Sequence, residues 1–543
     1  EIMSSDWSSD VCSSDLEKGP RYGPHDFVRD EIVTCRRDFW VPYPEDDPHV
    51  IVDGPGARPA VSHRGWISQC VGGGTVHMSG FFFRYHPIDF ELRSRAPDLT
   101  GTTLVDWPFG YEQLAPYYDR VEKELGVSGD LSKNPFDPRG GAPFPYPPVP
   151  THPIAQWIEK KGRARGYHPF QVPRAIITTP EEKLGRGACE YHQLCGSYGC
   201  ENAAKSSTLA TYIPLAEATG RCAVRDRCMV ERVEMRNDGR AKGVVYVDAR
   251  GDRRRVEADV VVVACGAIES ARLLLMSRTA SFPNGLGNGA GLVGKNLCLS
   301  SLGHLAGVLH YDDFEDAERQ VLKNPAPFVG RAVQDLYELD PPAEGLPKAG
   351  TFHFLWAHEN PIHRTERLLD ARDGGLVYGG ALMERLRARF SQSRTLEVES
   401  FSEWLPTEGC FVELDGDVSD RWGLPAAKIH VDQHPASVAA TTRMVEASET
   451  LLADLGCRTI ERIDVGGVTW VLQSGTCRMG NDPATSVTTP QGHLHEVDNL
   501  YVTDGAALPT SGGVPNTMTI LANALRIAER SEEHTSELQS LLI

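Results

Sequence analysis

The most sharply patterned stretch of the chain is "VEADVVVVACGAIESARLLLMS" (256–277). Its four consecutive valines predict a strand buried on both faces. Cys265-Gly266-Ala267 predicts a tight turn, and the apolar spacing from Glu269 to Met276 predicts a helix. Upstream, "CMVERVEMRNDGRAKGVVYVDARGDRRRVEAD" (228–259) alternates apolar and polar positions. Turn residues at Asn237-Asp238-Gly239 and Arg250-Gly251-Asp252 make it a β-meander. "DNLYVTDGAALPTSGGVPNTMTILANALRIAER" (498–530) reads as a short strand, a Gly/Pro loop and an amphipathic helix from near Thr517. "WPFGYEQLAPYYDRVEKELGVSGD" (107–130) reads as a helix started after Pro108 and stopped by Gly126. Between 301 and 465 this regularity is lost. That stretch carries His353, Phe354, Trp356 and Trp404 but no glycine fingerprint, and reads as a second, antiparallel lobe supplying a substrate wall.

At 543 residues the chain exceeds the roughly 250–300 at which single cores stop growing, so at least two lobes are expected. No apolar run approaches the roughly 18 residues that span a bilayer. A net charge of −19 argues against a nucleic-acid phosphate surface and for an acidic, soluble enzyme.

The two ends are set aside. "RSEEHTSELQS" (530–540) and "DVCSSDL" (10–16) resemble translated sequencing-library adapters, so residues 1–15 and 531–543 are expected to be adapter-derived tails and not part of the fold. The true N-terminus is then expected to be missing, and no compartment is legible. "SSDLEKGPRY" (13–22) bears on the same point. Its Leu16-Glu17 resembles the end of a dinucleotide-binding strand, whose carboxylate takes a cofactor ribose. Such a strand requires a glycine-rich turn roughly 20 residues earlier.

Four stretches, "SQCVGGGTVHMSGFFFRYHPIDF" (68–90), "ACGAIESARLLLMS" (264–277), "GLVGKNL" (291–297) and "GTCRMG…NLYVTDGAALPTSGG" (475–513), occur in order and together carry a resemblance. The chain resembles the glucose–methanol–choline (GMC) family of FAD-dependent oxidoreductases over nearly all of 16–530. The resemblance implies an α/β fold, with a Rossmann-like FAD-binding domain and a substrate domain with a mainly antiparallel sheet. It divides the chain into a discontinuous FAD lobe (16–104, 186–300, 466–530) and a substrate lobe (105–185, 301–465). It implies oxidation of a CH–OH group of a small alcohol or sugar by hydride transfer to FAD, with electrons passing on to an acceptor protein or cytochrome. An oxygen-using enzyme of the pyranose-oxidase type is the alternative, and a relic that binds FAD poorly is another.

The same resemblance assigns the cofactor contacts. Glu17 would bind the adenosine ribose, although the upstream glycine turn is absent; FAD is then expected to bind weakly unless tethered. Gly72, Gly73, Gly74 and Thr75 would let backbone approach the flat cofactor without Cβ clashes. His77 falls where some relatives bond FAD covalently, so a histidyl link and a non-covalent histidine beside the flavin both stand. Val230 would pack against adenine or be a plain core valine. Gly266 and Ala267 belong to a cofactor turn, and Asp504 and Gly505 face the ribityl-diphosphate region. Asn516 lies beside the cofactor, and Thr517 opens a helix whose N-terminal dipole favours negative charge on the reduced flavin.

Two features depart from the family pattern. Relatives carry a catalytic His four residues before the Thr of the "GT-CxMG" stretch, a group suited to take the alcohol proton. Here "WVLQSGTCRMG" puts Leu472 there, and leucine accepts no proton. The later His or Asn is displaced to Asn516. Gln473 and Asn516 are therefore expected to orient the substrate, with the proton going to water or to His434 or His495. Second, "CEYHQLCGSYGC" places Cys189, Cys195 and Cys200 at a spacing unlike a zinc finger. Some relatives hold an iron–sulfur cluster on a similar run; a plain thiol or disulfide-bonded loop is the other reading.

Overall fold

The computed structural model describes residues 3–4, 13–33, 40–192, 194–357, 360–370 and 375–535. Strand β1 (Ser13–Leu16) pairs in parallel with β2 (Cys222–Arg225), and β3 (Val261–Val263) in parallel with β8 (Leu500–Val502). Parallel strands cannot be joined by a tight turn, and long crossovers separate both pairs in the chain. Among the described residues the two pairs do not hydrogen-bond to each other.

β3, the Gly266 turn and helix α2 (Ala267–Met276) follow the valine pattern. One expectation fails. Val262 is 38 % exposed, so β3 is buried on one face and not on both. Its only ladder partner among the described residues is β8. Part of the adapter-like ends takes part in the fold. Ser13–Asp15 belong to β1 because the ladder gives their backbone partners: Ser13 N donates to Arg221 O at 3.0 Å and Glu17 N to Arg225 O at 2.9 Å. Met3–Ser4 pair with Arg254–Arg255. At the other end helix α5 (Thr517–Thr535) continues into the second excluded tail, since helix hydrogen bonds propagate through most sequences once formed. Residues 536–543 lie outside the described residues.

The β-meander is present as Met229–Met235, Ala241–Val247 and Arg253–Glu257. Helix α1 (Tyr111–Leu125) ends at Gly126, whose φ of +84° and close approach to Ile177 exclude a side chain there. Tyr118 of α1 joins Thr519 of α5, hydroxyl to hydroxyl, at 2.8 Å.

The second lobe is built on a six-stranded antiparallel sheet, as expected. Its order is β7 (Thr459–Val468), β4 (Ser301–His310), β6 (Ser393–Ser402), β5 (Gly350–Trp356), Arg331–Val333 and Phe170–Gln171. Helix α3 (Gly379–Ser391) leads into β6, and helix α4 (Pro435–Asp454) closes one face of the sheet. A Cβ at Gly303 would sit 2.6 Å from Val445, and at Gly307 3.1 Å from Leu452, so small residues let helix and sheet approach. A further four-stranded sheet joins Phe411–Ser419 and Pro425–Val431 to His49–Asp53 and Ala60–Ser62, drawing strands from both segments of the chain.

Candidate active site

The site residues gather where β1, β3 and β8 end and where α2 and α5 begin, the edge at which open α/β sheets bind ligands. Glu17 follows β1, and its Oε1 accepts from Gly19 N at 2.7 Å. Burial raises its carboxyl pKa, with the Gly19 N–H and the Lys18 charge pulling the other way. A half-buried carboxylate at a parallel-strand end suits hydroxyl donors such as a ribose diol, so the residue fits its assigned partner. Lys18 beside it pairs with Asp47 at 2.8 Å and Glu269 at 3.2 Å and lies over the Trp66 ring. Arg272, fully buried, pairs with Asp420 at 2.6 Å and Glu269 at 3.0 Å, which locks the first turn of α2.

Gly72 has φ +94°, and a Cβ there would meet Val76 and Leu209 within 3 Å. Gly73–Thr75 form one 3₁₀ turn, closed by the Thr75 hydroxyl donating to Gly72 O at 2.6 Å. A Cβ on Gly74 would meet Ile67 at 2.6 Å. His77 Nε2 lies 3.1 Å from Ile67 O, and its ring stacks on Trp40 at 5.1 Å. Burial lowers its pKa to about 4, so the ring is neutral at pH 7. Val230 is half-buried in the meander against the main core.

Asp504 ties the strand ends together. Its carboxylate accepts from Gly266 N at 2.8 Å, from Ala506 N at 2.8 Å and from the Ser270 hydroxyl. Burial raises its pKa, against these hydrogen bonds. Thr476 donates to Ala267 O at 2.6 Å, and a Cβ on Gly505 would sit 2.4 Å from Gln473 O.

Gln473 and Asn516 do meet: Asn516 Nδ2 donates to Gln473 O at 3.1 Å, and both are buried. The Gln473 amide nitrogen itself donates to Gly65 O and to Trp470 O. Asn516 O accepts from Ile520 N, fixing the start of α5 beside Thr517. Leu472 is buried next to them. Neither alternative histidine is hydrogen-bonded to this pair. His434 caps α4, accepting from Ala436 N, and contacts Thr100 O. His495 Nε2 pairs with the Ser486 hydroxyl.

A group that sequence reasoning missed supports the loop before α5. Lys348, with a fully buried side chain, ion-pairs with both Asp89 and Glu403, equally buried. Glu403 Oε1 accepts from Ser511 N and the Ser511 hydroxyl, both at 3.0 Å, and Tyr337 donates to Asp89 at 2.6 Å. These residues come from four separated stretches, so no local pattern could have marked them.

The three cysteines line one cavity, all as free thiols. Their three sulfurs do not all lie within 4.8 Å of one another; among the described residues the trio that does is Glu190, His192 and Glu201, exposed and lining the same cavity. Lys205, fully buried at the cavity base, donates to Cys195 O and Tyr198 O at 2.6 Å. Burial raises the Cys189 pKa to about 11.

The α/β fold gathers polar residues at its strand ends, the edge where such sheets take ligands, and the comparisons carry this to a family. Residues 171–301 and 406–524 match the N-terminal and C-terminal GMC oxidoreductase models. The chain is 33% identical over 477 residues to 6'''-hydroxyparomomycin C oxidase of Streptomyces lividus, covering 86% of this chain and 80% of that protein. It is 32% identical to 2-methyl-1,2-propanediol dehydrogenase of Mycolicibacterium austroafricanum, covering 87% and 82%. The solved structure of pyridoxine 4-oxidase from "Mesorbium loti" matches its fold with a TM-score of 0.58 at 17% identity, covering 97% and 95%. The chain belongs to the GMC oxidoreductase family. Its cofactor is FAD and its reaction the oxidation of CH–OH groups of alcohols or sugars. No described helix is long and apolar enough to cross a membrane.

Proposed function

We propose that this enzyme oxidises a hydroxyl-bearing carbon of a sugar-sized polyol held between the 473/516 pair and the antiparallel sheet. The observation that carries the reading is the contact of Asn516 with Gln473 at the start of α5, after a loop whose Gly513 lies against Gly350 at the start of β5. FAD, when bound, supplies the acceptor for the hydride leaving the carbinol carbon. Glu17 holds the ribose end. Gly72–Thr75, His77, Gly266, Ala267, Asp504, Gly505 and Thr517 shape the remainder of the cradle, with Val230 beside the adenine. Asn516 has an amide donor and acceptor to orient the substrate oxygen. Gln473, whose amide nitrogen is committed to two carbonyls, acts through Asn516 as a positioning residue. Leu472 takes no proton, so the substrate proton leaves to water or to a histidine from elsewhere, such as His434 or His495. Adding FAD to apoprotein should raise its melting temperature, because a ligand that binds only the folded state stabilises it. A rise with NAD and none with FAD would overturn the cofactor assignment. Dye reduction under nitrogen, set against oxygen consumption, then separates a dehydrogenase feeding an acceptor protein from an oxidase.

Cys189, Cys195 and Cys200 are read as ligands of an iron–sulfur cluster, which spaces sulfurs more widely than one ion does. What favours it is charge. Arg174 and Lys205 are buried beside these thiols, and neither has a carboxylate partner among the described residues. Buried cations call for a nearby anion, and thiolates on iron supply it. Anaerobically prepared protein should carry about three to four irons per chain, lost in Cys195→Ser. Iron-free protein with full activity would end this reading.

A further inference from the structure

The turn that leads into Asn516 runs over Ser511, Gly512 and Gly513, and side chains from distant parts of the chain hold it. Gly512 has φ +77°, and a Cβ there would sit 2.3 Å from the Tyr85 ring, so only glycine fits. Two adjacent glycines leave a turn that its own sequence does not fix. Its shape must come from outside.

Two buried phenols grip its backbone. Tyr85 donates its hydroxyl to Ser511 O at 2.5 Å. The Tyr337 hydroxyl accepts from Gly513 N at 3.3 Å and donates to Asp89 at 2.6 Å. One oxygen thus joins the turn to the Lys348 cluster, whose Glu403 takes the Ser511 N–H and hydroxyl. Trp404 N donates to the Ser511 hydroxyl oxygen at 2.7 Å. The Tyr337 ring stacks on His86 with centroids 3.7 Å apart, which fixes the direction of its hydroxyl. Burial, with Asp89 beside both, raises the two phenol pKa values, so both stay protonated and able to donate.

The hold is placed where it bears on the chemistry. Gly513 lies three residues before Asn516, whose amide bonds to Gln473 O at 3.1 Å. Tyr85 N donates to the Tyr118 hydroxyl at 3.4 Å, and that hydroxyl meets Thr519 Oγ1 at 2.8 Å in the first turn of α5. Tyr85 therefore grips the turn before Asn516 and, through Tyr118, the helix after it. Both phenols hold backbone, so they act on Asn516 through the turn and not by contact. Misplacing an orienting group by about 1 Å costs roughly 10²-fold in rate.

We propose that Tyr337 and Tyr85 are positioning residues for the oxidation: through the Ser511–Gly513 turn they set where the Asn516 amide meets the substrate oxygen. This rests on the reading of Asn516 above and adds the residues that make it effective.

The test is Tyr337→Phe, which keeps the ring and its stacking and removes one hydroxyl. With the best-oxidised member of a panel of sugars and polyols, kcat of the holoenzyme should fall about tenfold while KM and FAD content stay near wild type. Tyr85→Phe should show the same split. Combining Tyr337→Phe with Asn516→Ala separates positioning from general loosening. A hydroxyl that acts through Asn516 changes kcat by less than about twofold once Asn516 is alanine. Equal falls in both backgrounds, or no fall with Asn516 present, would overturn the proposal. If no panel member is oxidised, or Asn516→Ala keeps full kcat, the failure lies with the reading of the alcohol site, and amide hydrogen exchange decides. Faster exchange in Tyr337→Phe confined to residues 508–516 supports the hold on the turn; unchanged exchange there overturns it.

Discussion

Lys348→Met should cost about 3–5 kcal/mol of stability in urea denaturation, the usual penalty for breaking a buried ion pair from one side. The ammonium is the only cation paired to Asp89 and Glu403 among the described residues, and all three side chains are fully buried. Burial by itself would lower the Lys348 pKa, yet the two carboxylates hold it above its usual value. Methionine fills much of the volume but leaves two buried carboxylates facing each other. The damage should spread to the loop before α5, because Glu403 also anchors Ser511. The triple change Lys348→Met, Asp89→Asn, Glu403→Gln should recover much of the loss, since neutral groups remove the unpaired charge. A Lys348→Met protein as stable as wild type would show that the cluster is not ionised as drawn.

Leu472→His should raise turnover on an accepted alcohol by about 10²-fold, at the low end of what a positioned general base contributes. Position 472 directly precedes Gln473 and is buried beside Asn516. An imidazole there would have its pKa lowered by burial, as happens at His77. A lowered pKa keeps the ring in its neutral, proton-accepting form below the ordinary histidine value of about 6.5. The gain should therefore persist into mildly acidic solution and fade only as pH drops through the depressed value. Asn516→Ala in the same background should lower kcat by about 10²-fold, as loss of a substrate-orienting donor does. A fall with Asn516→Ala and no gain from Leu472→His would remove position 472 as the base site.

What the chain alone determined is local. The valine run, the Gly266 turn and the α2 spacing were legible because strand, turn and helix each leave a short-range period. The meander, the stop of α1 at Gly126 and the start of α5 near Thr517 were legible for the same reason. The family motifs located Asp504 and Gly266, though not that one carboxylate caps the other's turn. Tertiary structure decided everything that needs two distant segments. The burial of β3 depends on its neighbours, so Val262 is exposed despite a pattern that reads as buried. Tyr85, Tyr337 and Glu403 come from three separated segments, and only the fold brings them to one turn. Asp89, Lys348 and Glu403 meet across more than 300 residues of chain because a buried charge must find its partner wherever the fold brings one. Periodicity reports on the residues beside a position, and a site is made of the residues opposite it.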